Sequence, residues 1–200
     1  VLLLSTNVAV AEPVVLAALG DSLTQGYGLV PEQGLVAQLQ RWLDAQGADV
    51  RLINAGVSGD TTAGGLARVG WTLTPEVQGM IVALGGNDML RGLDPGEARA
   101  NLAGILQAAD AAGVQVLMVG FEAPLNYGPD YKADFDAAYP ELAADYGAVF
   151  HPSLLAPLQV QERPLTDFLQ ADLLHPNPDG VALMVEALGP RVLELVERVK

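Results

Sequence analysis

Short apolar runs alternate with amphipathic stretches along this chain. Val14–Leu19, Val50–Ile53, Met80–Leu84, Val114–Val119 and Ala148–Phe150 are nearly uninterrupted in hydrophobicity, as strands buried on both faces are. Between them the period changes. Leu35, Val36, Leu39, Trp42 and Leu43 fall at helical spacing, with Gly47 as a stop. Asp94-Pro95 opens a second helix, with an acidic cap, proline in the first turn and Glu97 three positions on. Leu102, Ile105, Leu106 and Ala109 form its buried stripe and Gly113 ends it. Tyr131 to Tyr146 reads as a third helix, stopped at Gly147. Asn177-Pro178 caps a fourth, with Val181, Met184, Val185 and Leu188 facing inward. Gly189-Pro190 is expected to break or kink that helix before Val192, Leu195, Val196 and Val199. Repeated alternation of this kind predicts one α/β domain, with a five-stranded parallel sheet and helices on both faces.

Composition narrows what such a domain can do. Half of the 200 residues are hydrophobic, enough for a sizeable core. With 24 acidic and 10 basic residues the formal charge is −14. That balance argues against nucleic acid as a partner and against an anionic membrane surface. The absence of cysteine excludes disulfides, thiolate nucleophiles and cysteine metal sites. At the start, Val1–Leu4 is apolar and Ala9-Val10-Ala11 has the small-x-small form of a signal-peptidase site. Residues 1–11 are therefore read as the remnant of a signal peptide, residues 12–200 as the domain, and the protein as periplasmic or secreted. No stretch has the length of a membrane span, so no stable membrane insertion is expected.

The polar chemistry gathers after the strands. The first run leads into Gly20-Asp21-Ser22, the second into Asn54 to Asp60, the third into Gly85-Gly86-Asn87-Asp88. In an open parallel sheet these loops converge outside the carboxyl ends of the strands, where sites form. Neither phosphate-loop nor dinucleotide spacing fits the stretch from Gly20 to Gly28. Acyl transfer needs an activated hydroxyl, a base and an orienting acid. The chain has four serines and two histidines, and Ser22 alone directly follows a strand. His175 alone has an acid at a suitable offset, Asp172, and His151 reads as a strand-end residue. Backbone N–H groups of Ser22 and Gly59 and the side-chain amide of Asn87 could bind the oxyanion. Taken singly, Ser22 also fits a turn or cap serine, and Asp172 a surface acid. The fold could also serve as a binding module without turnover.

The blocks Gly20-Asp21-Ser22, Gly59, "GGND" with Asn87, and D-x-x-H with Asp172 and His175 occur in that order over nearly the whole chain. Together they resemble the SGNH subgroup of the GDSL hydrolases. "LGDSLTQGYG", "SGDTTAGGLARV", "NYGPDY" and "HPN" resemble its thioesterase, lysophospholipase and arylesterase branch. The resemblance implies a three-layer α/β/α flavodoxin-like fold, no cofactor or metal, and hydrolysis of acyl or aryl esters by a monomer. It implies Ser22 as nucleophile, His175 as base and Asp172 as orienter, with Gly59 and Asn87 as oxyanion donors. It also places acyl binding on Asp88, Met89 and Leu90 and on Pro124 and Leu125. Glu122 departs from the basic or neutral residue expected there; an acid beside the acyl groove would disfavour anionic substrates such as acyl-CoA. An acetylated sugar or a peptide-like bond is the alternative substrate for the same catalyst.

Overall fold

The computed structural model describes residues 12–199. The expected signal-peptide remnant lies outside them. Each apolar run forms a strand: β1 is Val14–Gly20, β2 Val50–Gly56, β3 Gly79–Ala83, β4 Gln115–Val119 and β5 Val149–His151. All pairings are parallel, in the order β2-β1-β3-β4-β5. That is the flavodoxin-like doubly wound order, with its switch point between β1 and β3. The helices are α1 Ser22–Gln25, α2 Leu35–Ala45, α3 Thr62–Thr72, α4 Gly86–Leu90, α5 Pro95–Ala111, α6 Pro129–Asp145, α7 Ala156–Gln159 and α8 Pro178–Val199.

Period two in the strands sorts the core into two layers. Leu16, Ala18, Ile81 and Leu117 pack with Leu39 and Leu43 of α2 and with Met184, Val185, Leu188 and Val192 of α8. Val15, Ala17, Leu19, Met80 and Met118 pack with Val69 of α3, Leu102 and Ile105 of α5, and Phe135 and Tyr139 of α6. The caps form as the sequence predicts. Asp94 accepts from the N–H groups of Gly96 and Glu97, and Asn177 accepts from that of Gly180. Edge strand β2 is partly occupied by a side chain. The Gln40 amide donates to the Val50 carbonyl at 2.8 Å and accepts from the Leu52 N–H at 2.9 Å, which blunts the edge against another strand.

Two elements differ from the pattern. Helix α3 carries Gly64, Gly65 and Gly70, whose low helix propensity, rather than any lack of an apolar face, conceals it. Its signal is the cap Thr61, whose side chain accepts from the Gly64 N–H. Helix α8 does not break at Gly189-Pro190 but continues to Val199. Proline there forgoes one N–H, while the buried residues Leu188, Val192 and Leu195 hold both halves on the sheet. Gly189 itself lies under the Trp42 ring of α2; a Cβ would stand 2.5 Å from it. Gly189→Ala is therefore expected to lower stability by about 1–3 kcal/mol. Gly70→Ala, with open space around it, is expected to raise it by roughly 0.5–1 kcal/mol. Denaturant unfolding of the two variants beside the wild type checks both signs.

Candidate active site

The loops after β1, β2 and β3 meet at the switch point, and the segment before α8 closes over them. Ser22 is the first residue of α1. Strand β1 ends at Gly20, where a side chain would collide with Thr24. Asp21 follows as cap, its carboxylate accepting from the Leu23 N–H at 3.0 Å. This tight turn brings Ser22 Oγ to 2.9 Å from His175 Nε2. The other ring nitrogen, Nδ1, is 2.6 Å from Asp172 Oδ2. Asp172 Oδ1 accepts from the N–H groups of Leu174 and His175, each at 3.0 Å. The three side chains singled out by elimination thus form one continuous chain of hydrogen bonds. The His175 N–H and ring and the Leu174 N–H hold the Asp172 carboxyl down at about 2, so it is ionised at neutral pH.

A cleft of about 220 Å³ opens beside this chain. Ser22, Gly59, Asn87 and His175 all line it, as do Met89 and Leu90. Gly59 has φ +79°, in the left-handed region that favours glycine. The Asn87 amide donates one N–H to Asp21 Oδ2 at 3.3 Å. Asp21 is buried, and burial raises its carboxyl to about 6 against the lowering effect of the Leu23 N–H and the Asn87 amide.

Of the expected acyl contacts, Met89 and Leu90 line the cleft, whereas Asp88, Pro124 and Leu125 are not among its lining residues. Asp88 does not face the cleft. It is buried, with Oδ2 accepting from the Thr62 N–H at 2.9 Å and Oδ1 from the Thr62 hydroxyl at 2.6 Å, and so ties α4 to α3. Pro124, Leu125 and Glu122 are exposed and outside the lining, to which that loop contributes Phe121. The spacing of the motifs did not reveal Leu23, Tyr27, Phe121, Leu155 and Leu174, which complete the walls. The Tyr27 ring lies 4.6 Å from the His175 ring, tilted by 38°. His151 ends β5, is buried and stands outside the cleft.

One cation organises the loops from behind. Arg68 of α3 is paired with Asp60 at 2.7 Å. It also donates to the carbonyls of Ala55 at 2.7 Å and Gly20 at 2.9 Å. A single guanidinium fork thereby fixes the ends of β1 and β2 and the residue after Gly59. From the front, Arg91 donates to the Gly59 carbonyl at 2.7 Å.

Residues 18–183 match the model of the GDSL-like lipase/acylhydrolase family. Esterase TesA of Pseudomonas aeruginosa is 40% identical over 196 residues, covering 98% of this chain and 94% of that protein. The thioesterase 1/protease 1/lysophospholipase L1 of Escherichia coli K12 is 32% identical over 195 residues, covering 97% and 89%. Among solved structures, AlinE4, an SGNH-hydrolase family esterase, superposes with a TM-score of 0.76 at 43% identity, covering 93% of this chain and 98% of that one. With its sheet order, its loops and these relatives taken together, the chain belongs to the GDSL-like lipase/acylhydrolase family.

Proposed function

We propose that the protein is a serine carboxylic ester hydrolase working through an acyl-enzyme on Ser22. The observation that carries this reading is the chain from Ser22 Oγ through the His175 ring to Asp172. Esterase, thioesterase and lysophospholipase relatives support the reaction class. In the first half-reaction Ser22 Oγ attacks the ester carbonyl and His175 Nε2 takes its proton. Asp172 keeps the ring in the tautomer with hydrogen on Nδ1 and stabilises the imidazolium. Collapse of the tetrahedral intermediate breaks the ester C–O bond, and His175 returns the proton to the departing alcohol. Water then attacks the acyl-enzyme by the same route, releasing the acid and restoring Ser22.

The oxyanion is met by the backbone N–H groups of Ser22 and Gly59 and by the Asn87 amide. Asp21 acts on that amide as a positioning residue. By accepting one N–H it fixes the rotation of the side chain and leaves the second N–H for the oxyanion. Leu23, Met89, Leu90, Phe121, Leu155 and Leu174 make the walls apolar, which suits acyl chains or aryl groups. They offer little to an acetylated sugar, whose hydroxyls need polar partners. Residues 12–200 are read as a single domain acting as a monomer. In support, its own helices cover both faces of the sheet and Gln40 occupies part of the β2 edge. The Ala9-Val10-Ala11 run supports export to the periplasm or beyond. No helix among the described residues is long and apolar enough to cross a membrane.

Ser22→Ala is expected to reduce turnover of p-nitrophenyl esters by about four orders of magnitude or more with the fold intact. Asn87→Ala is expected to lower kcat about a hundredfold. A series from acetate to palmitate, with circular dichroism of each variant, checks both and also reads the substrate. Medium or long chains should be preferred; a preference for acetate would favour the acetyl-ester alternative. Asp21→Asn carries the pH prediction. With its folded-state carboxyl raised from 3.8 to about 6, the wild type binds this proton more tightly folded than unfolded. Its stability relative to the variant should therefore fall as pH rises from 3.8 through about 6 and be level above. Urea unfolding of both proteins across that range measures the difference.

A further inference from the structure

We propose that the mouth of the cleft docks on the surface of a zwitterionic lipid aggregate, with Leu173 as its leading contact, so that the ester is drawn from that surface. The inference rests on the ester-hydrolase reading of the cleft. Among the described residues Leu173 is the one non-glycine residue with positive φ, at 56°. A leucine is disfavoured in that left-handed conformation, and here it is 63% exposed. Its N–H bond to the Gln170 carbonyl is a main-chain contact that any residue but proline could make. Glycine would remove both the backbone strain and the exposed apolar surface. The leucine side chain is therefore kept for a contact outside the chain.

Its neighbours on this face share that character. Tyr27, Leu90 and Leu174 line the cleft yet remain exposed. Val57 precedes the lining residue Ser58 and is exposed, and exposed Tyr127 donates its hydroxyl to the Leu90 carbonyl at 3.3 Å. Several exposed apolar side chains bordering a catalytic mouth mark an interaction surface. A lone dissolved substrate would be held by the walls inside the cleft, whereas Leu173, Val57 and Tyr127 lie outside that lining. Because Tyr27, Leu90 and Leu174 both line the cleft and are exposed, apolar surface extends from the cleft outward, which fits a surface that supplies the ester. Charge selects which surface. An excess of 24 acidic over 10 basic residues disfavours anionic lipid, and Arg91 at the rim is already engaged with the Gly59 carbonyl. A zwitterionic headgroup layer offers apolar contact without that repulsion.

The test separates docking from catalysis. Ser22→Ala protein is sedimented with phosphatidylcholine vesicles and with vesicles enriched in phosphatidylglycerol, with and without Leu173→Asn. Asparagine tolerates the left-handed backbone, so this variant removes the apolar side chain and keeps the turn; Leu173→Gly serves as a second, relaxed version. The active protein, again with and without these changes, is assayed on lysophosphatidylcholine below and above its critical micelle concentration and on p-nitrophenyl acetate. Binding to phosphatidylcholine vesicles is expected, weaker on the anionic ones and reduced about threefold or more by either substitution. The rate should rise as micelles form, and the rise should be lost in both variants while p-nitrophenyl acetate turnover changes less than about twofold. Absence of vesicle binding, stronger binding to anionic vesicles, or binding indifferent to Leu173 would overturn the proposal. So would an equal loss on p-nitrophenyl acetate, which would assign Leu173 to the single substrate or to the Asp172 turn. Sedimentation needs no turnover, so an inactive protein that still binds would refute the hydrolase reading and leave docking standing.

Discussion

The contact between His175 Nε2 and Ser22 Oγ joins segments 153 residues apart, and the rest of the site depends on it. A hydroxyl this weakly acidic is a poor nucleophile until a base is held within hydrogen-bond reach. The sheet fixes one partner and a short stapled turn fixes the other. Gln170 sets the distance between them: its amide donates to the Tyr27 carbonyl at 2.8 Å and to the Pro176 carbonyl at 2.9 Å. Its own N–H donates to the His175 carbonyl at 2.7 Å. Asn177, next in the chain, caps α8 and donates to the Asp167 carbonyl. The histidine turn is thus bound both to the segment after Ser22 and to the last helix of the core.

Crowding at the strand ends does the complementary work. Gly20 abuts Thr24, Gly56 abuts the backbone of Gln25, and Gly85 abuts Tyr139. Side chains at these places would hold the three loops apart, so the glycines permit the convergence. They do not enforce it. Arg68 does that by gathering the carbonyls of Gly20 and Ala55 and the carboxylate of Asp60. In the proposed reaction, donors for an oxyanion would come from backbone and amide groups held before any substrate arrives, which is the condition for electrostatic stabilisation without reorganisation.

How much of this was legible beforehand follows from the kind of signal each part emits. Strands buried on both faces, β1 and β3 above all, advertise themselves as apolar runs; the edge strand β2, with Arg51 and Asn54 exposed, gave only the short run Val50–Ile53. Helices with caps and clear stripes, such as α5 and α8, were equally plain. Helix α3 was hidden because its glycines serve close packing: Gly65 lies against Leu84, so the residues that make the helix fit also lower its intrinsic helix propensity. Arg68 lies on that helix, and nothing in its local sequence points to its three partners. Ser22, Asp172 and His175 could be found by elimination because the inventory of serines and histidines is so short. The walls could not. Asp88 adjoins Asn87 in the motif but turns inward to Thr62, while Tyr27, Phe121 and Leu155 reach the cleft from loops whose course no local pattern fixes.

The central claim is that Ser22 is the activated nucleophile of this array. The direct measurement is covalent labelling with a fluorophosphonate, read by mass spectrometry of the digested protein. Attack by Oγ forms an O–P bond, fluoride leaves, and the proton passes to His175. The account predicts a single adduct on Ser22, absent in Ser22→Ala and formed far more slowly in His175→Ala. Folded protein that takes no label, or takes it on Ser58 or Ser153, would contradict it.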